Sequence, residues 1–118
     1  MNPYDRAHEL ARAIRESEPF RAMRSAKVKI DPDSQAKRML TDFHIKQFEF
    51  ESKRLMGQEP TAAEQESLQK LYEILQLHNS VRDYLLGEYQ LGVLMQDVQK
   101  ILSDVLQEVS IEGDEDKV

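Results

Sequence analysis

An all-α fold follows from three features of this 118-residue chain. Apolar residues recur at three- and four-residue steps along most of its length. Start and stop signals, each a capping residue beside a proline or glycine, cut that pattern into about five segments. No stretch alternates apolar and polar residues for long enough to make a strand, since "KVKI" at 27–30 is short and has no partner. Hydrophobic residues at 40% and charged residues at 32%, with four Gly and four Pro, suit a folded helical chain rather than a disordered one.

The first helix begins at Asn2 and Pro3, an N-cap followed by a proline at the first helical position. Tyr4, Ala7, Leu10, Ala11 and Ile14 form its apolar stripe. Pro19 in "SEPF" ends it by disfavouring helical geometry at Glu18. A short second helix, about 19–29, carries Phe20, Met23 and Ala26 inward, with Ile30 at its end. "DPDSQ" at 31–35 repeats the start signal, with Asp31 as cap, Pro32 in the first turn and Asp33 at the positive end of the helix dipole.

The third helix is expected over about 32–56, stopping at Gly57, a residue suited to a left-handed cap. Its apolar set (Ala36, Met39, Leu40, Phe43, Ile45, Phe48, Phe50, Leu55, Met56) is too wide for one stripe and implies neighbours on two sides. After the "GQEP" turn, Thr61 and Glu64 make a capping box for a fourth helix to about Leu77. That helix buries Leu68, Leu71, Tyr72 and Leu75. "LHNS" at 77–80 breaks the chain, and Asn79 or Ser80 caps a fifth helix at about 80–110. The organisation expected is one helical domain, 1–110, with an acidic flexible tail at 111–118.

The fifth helix carries a face wider than one partner needs. Read as heptads, Glu88, Met95, Leu102 and Val109 fall at position a, and Tyr84, Leu91, Val98 and Val105 at d. Leu94 and Ile101 add position g. A two-position seam serves one partner and a three-position face serves two. The third helix of the same chain is the expected first partner, and a second subunit the other. A helix over 80–110 is roughly 46 Å long, against roughly 35 Å for a compact domain of this size. Gly92, costing about 1 kcal/mol in mid-helix, points to a close backbone nearby. The candidate interface is therefore Tyr84, Leu91, Leu94, Met95, Val98, Ile101, Leu102 and Val105. The competing expectation is that the first two helices fold back over this excess.

Charge is graded along the chain. Residues 1–30 carry seven basic against four acidic side chains, and residues 61–118 four against twelve. Arg12, Arg15, Arg21, Arg24, Lys27 and Lys29 make a candidate polyanion contact. Glu16 and Glu18 interrupt it and the chain is acidic overall at −6, so direct nucleic-acid binding is disfavoured. No catalytic constellation is found. There is no Cys, no Gly-rich phosphate loop, no Gly-x-Ser-x-Gly elbow and no His-Glu-x-x-His. Asp5 and His8 are the one near match to a carboxylate–histidine metal element, which is too few ligands. No enzymatic activity, cofactor or metal is expected. The start has neither a signal-peptide pattern nor a membrane-spanning run follows it, so a cytoplasmic location is expected.

The order of "SEPF", "KVKIDPDSQAKRMLTDF", the Gly-Gln-Glu-Pro turn and "LHNSVRDYLLGEYQLGVLMQDVQKIL" closely resembles the YheA branch of the YlbF/YmcA family of small helical bacterial proteins, over residues 3 to about 110. The resemblance implies a helical bundle in which the two long helices are antiparallel, associating as dimers or higher oligomers. It implies regulatory rather than catalytic work. Better-known relatives are linked to competence, sporulation and biofilm formation through a complex that influences RNA processing by a membrane-attached endoribonuclease. Some carry cysteines associated with iron–sulfur clusters, a cofactor this Cys-free chain cannot share. The function expected is a cytoplasmic oligomerising adaptor, with itself or another helical protein as partner. The alternative is an RNA-associated factor acting through residues 12–29 or through an RNA-processing complex.

Overall fold

Asn2 opens the first helix as expected: its side-chain oxygen accepts the Tyr4 N–H at 2.9 Å, and Pro3 sits where no amide donor is needed. The computed structural model describes residues 1–111. It contains α1 (Pro3–Glu16), α2 (Glu18–Ile30), α3 (Ser34–Leu55), α4 (Ala62–Leu75) and α5 (Asn79–Gln107). Among the described residues there is no strand, so the all-α class stands. The tail expected at 111–118 lies, apart from Ile111, outside the described residues.

Two caps differ from expectation. Asp33, not Asp31, caps α3 by accepting the Ala36 N–H at 3.0 Å. Asp31 instead closes α2, donating its N–H to the Lys27 carbonyl at 2.9 Å. Pro32 belongs to the intervening turn. At α5 the cap is His78, whose Nδ1 accepts the Val81 N–H at 3.3 Å, rather than Asn79 or Ser80. The Thr61–Glu64 capping box is present, and Gly57 takes the left-handed conformation with φ 78°.

Side-chain contacts fix the helix directions. Lys53 meets Glu64, and Phe43 stacks against Tyr72 at 5.8 Å, so α3 and α4 form an antiparallel hairpin. The α2–α5 pair is also antiparallel and is the most extensive helix contact. A Cβ placed at Gly87 would lie 3.1 Å from the Met23 Cβ and 3.2 Å from the Pro19 carbonyl oxygen. Glycine here lets α2 rest on the backbone of α5. The expected first partner of α5, α3, is thus replaced by α2. Asp33 meets His78 at 3.3 Å, and His44, one helical stretch on, meets Glu88 at 3.0 Å. Within the chain α3 and α5 therefore start side by side and run the same way, rather than antiparallel, because each has a short antiparallel helix as its neighbour.

The core lies where the ends of α2 and α4 meet the starts of α3 and α5. Ala26 and Ile30 of α2, Ala36, Leu40 and Phe43 of α3, Leu75 of α4, and Val81 and Leu85 of α5 are buried together. Nothing in α1 is buried. The distal half of α3 exposes Ile45, Phe48 and Leu55. The Cα atoms span 48 × 38 × 16 Å, with a radius of gyration of 18.7 Å where a compact domain of this length would have about 13 Å. The accessible surface is 9517 Å², roughly 2,900 Å² more than a globular monomer of 13.8 kDa exposes. One chain makes a thin, open layer.

Candidate functional site

Past Gln90, α5 leaves the cover of α2. Leu91, Leu94 and Val98 are half-buried, but Ile101, Leu102 and Val105 are 65%, 60% and 60% exposed. Met95, Leu106 and Val109 are exposed as well. The competing expectation, that the first two helices fold back over the excess of α5, is not met at its far end: α2 packs along the first half of α5 and the row from Ile101 onward stays exposed. Tyr84, from the same candidate set, packs against the buried core. Its phenol is pushed above its usual value by burial and by the nearby Glu88 carboxylate. Gly92 has no neighbouring atom within 4 Å of where a Cβ would stand, so the close backbone approach inside the chain is at Gly87 instead.

The basic cluster divides. Arg12 and Arg15 of α1 and Arg21 and Arg24 of α2 line one concavity of about 520 Å³ at the elbow between the helices, with Glu16, Ser25 and Val28. Arg24 lies over the Phe20 ring, 5.0 Å from its centroid, which fixes one guanidinium by a cation–π contact. Among the described residues none of these four arginines forms an ion pair. Lys27 instead meets Asp31 at 3.0 Å, and Lys29 lines a separate hollow with Asp83 and Gly87. Spacing alone hides this division, because Lys27 and Lys29 differ from Arg24 and Arg21 only in the side of α2 they occupy.

Two histidine–carboxylate contacts join α3 to α5. Because His78 Nδ1 accepts from Val81, its Nε2 carries the proton that is donated to Asp33. Glu88, unpaired in the sequence pattern, is taken up by His44. The third histidine, His8, lies exposed on α1. Among the described residues no three His, Asp or Glu side chains converge as metal ligands. The Asp33 carboxyl is held below its usual range, first by the Ala36 N–H and then by His78. A depressed folded-state value means stability that is present above the unfolded value, near 4, and lost as pH falls through the folded one. Asp33→Asn keeps an acceptor for Ala36 but loses the charge. It is expected to flatten the acid limb of a melting-temperature profile followed by circular dichroism. Asp33→Ala is expected to lower the melting temperature at neutral pH as well.

No described helix is long and apolar enough to cross a membrane. The family model described as "Control of competence regulator ComK, YlbF/YmcA" matches residues 4–107. A UPF0342 protein of Caldicellulosiruptor bescii is 43% identical over 106 residues, covering 90% of this chain and 89% of that protein. One from Symbiobacterium thermophilum is 40% identical over 87% of this chain and 92% of its own length. Among solved structures, a protein of unknown function (DUF964) from Bacillus stearothermophilus superposes with a TM-score of 0.69 at 27% identity, covering 90% of this chain and 93% of that one.

Proposed function

Because the chain belongs to the YlbF/YmcA family, we propose that it acts as a non-catalytic helical adaptor with a regulatory task, and that its working form is a dimer closed along the second half of α5. The supporting observation is the apolar row Leu91, Met95, Val98, Leu102 and Val105, which continues beyond the end of its intrachain cover. A second copy is the occupant that fits best. Placing a two-fold axis near position 100 sets Met95 against the partner's Val105 and Val98 against the partner's Leu102, with the helices antiparallel. Such a symmetric contact covers both copies' rows at once. The excess surface is large enough for a standard interface, which takes about 800 Å² from each partner.

The regulatory part rests on the family's description alone, control of the competence regulator ComK. A cytoplasmic place of work goes with that reading. Sedimentation equilibrium tests the assembly: the expected mass is near twice the 13.8 kDa of one chain. A single folded chain persisting at the highest reachable concentration would overturn it. The RNA-associated alternative has one observation in its favour, the four arginines gathered at the elbow, none of which forms an ion pair among the described residues.

A further inference from the structure

We propose that the arginine elbow of α1 and α2 is a docking site for the acidic end, 108–116, of a second copy of this chain. This rests on the antiparallel seam proposed above. Around an axis near position 100, Gln107, where α5 ends, faces Val93 of the other copy, six residues along α5 from its Gly87. Gly87 is also the point where α5 touches Pro19 and Met23, at the α2 side of the elbow. The segment that follows α5, whose sequence carries Glu112, Asp114, Glu115 and Asp116, therefore begins beside the α2 flank of the other copy's elbow. Nine residues reach up to ~30 Å when extended, enough to round α2 and enter the concavity.

Charge selects the same occupant. Residues 108–118 hold five acids against one lysine. The elbow holds four arginines against Glu16, and they have no carboxylate partner among the described residues. Guanidinium forks match carboxylates in geometry as well as sign, and the Phe20 ring already orients Arg24. Two-fold symmetry makes the contact twice per dimer. One exposed ion pair adds little, but several converging on one concavity act together and respond to salt.

The test is a charge cycle read by sedimentation equilibrium of the full chain at low and high salt. Replacing the four arginines together (Arg12→Gln, Arg15→Gln, Arg21→Gln, Arg24→Gln) is expected to weaken the dimer roughly ten-fold at low salt and to remove most of its salt dependence. Neutralising the tail (Glu112→Gln, Asp114→Asn, Glu115→Gln, Asp116→Asn) should do the same, and combining both sets should add nothing further. Additive losses, or no loss from the arginine set, overturn the proposal. A labelled peptide of residues 108–118, titrated by fluorescence anisotropy into a Leu102→Glu chain, separates elbow from seam. Binding that the arginine set abolishes supports the elbow even where the wild-type chain sediments as a monomer. A wild-type dimer whose elbow takes no peptide overturns the elbow and leaves the seam intact. Single-stranded RNA bound at the elbow in place of the peptide assigns the arginines to nucleic acid and overturns the proposal too.

Discussion

Leu102→Glu is expected to weaken the proposed dimer by at least ~100-fold while leaving the folded chain intact. Leu102 is 60% exposed in one chain, so the monomer loses almost nothing when it becomes a carboxylate. In the proposed antiparallel seam the same side chain would lie against the partner's Val98, and symmetry would repeat the contact. Each copy then forfeits about 1.5–3 kcal/mol of apolar burial and must desolvate a charge without a partner. Two such losses exceed the ~2.7 kcal/mol that corresponds to 100-fold in affinity. Sedimentation equilibrium and far-ultraviolet circular dichroism together read the result. The expected pattern is a halved mass with unchanged helicity. Ser103→Glu supplies the control, since it adds the same charge one residue on, on the outer side of α5. An unchanged mass for Leu102→Glu, or an equal effect of Ser103→Glu, would remove this seam. At the functional level, a deletion strain should be complemented by the wild-type chain and not by Leu102→Glu.

The helices were legible because each is bounded by local chemistry. Asn2–Pro3, the Thr61–Glu64 box and Gly57 act within one turn, and all three are found where the sequence places them. The caps at Asp33 and His78 were harder for the same reason. Several polar residues stand next to each other there, and tertiary contact decides among them. His78 caps α5 while its other ring nitrogen reaches Asp33, the cap of α3. Each choice thus depends on the other, across 45 residues of chain.

Which helix lies along α5 was less legible still. A heptad pattern reports that a face is apolar, not who covers it, and α3 has more apolar residues than α2. The deciding residue is Gly87, whose missing side chain admits Pro19 and Met23. Gly92 carries the same local signal and has open space beside it, so glycine in a helix marks a close approach only when its partner is known. The width of the α5 face, by contrast, was readable. It exceeds what α2 covers, and the exposed row beginning at Ile101 is the remainder.

Leu75→Ala is expected to act in the opposite way, costing the folded chain about 3 kcal/mol without touching the seam. Leu75 is fully enclosed at the end of α4, where Ala36 and Met39 of α3 and Val81 of α5 close around it. The buried hydrophobic core residues form one cluster drawn from α2, α3, α4 and α5, so this position ties the α3–α4 hairpin to the α2–α5 pair. In a thin layer with few fully buried side chains, there is little around the site to collapse into the cavity. A loss of ~3 kcal/mol in a domain of this length corresponds to a fall in melting temperature of roughly 10–15 °C. Leu75→Met keeps most of the volume and should cost less than ~1.5 kcal/mol. Because dimerisation stabilises only the folded chain, these melts belong in the monomeric Leu102→Glu background, where concentration does not enter. A loss below ~1 kcal/mol for Leu75→Ala there would mean that the hairpin is held to α2 and α5 mainly by the Asp33–His78 and His44–Glu88 contacts, and not by the apolar junction.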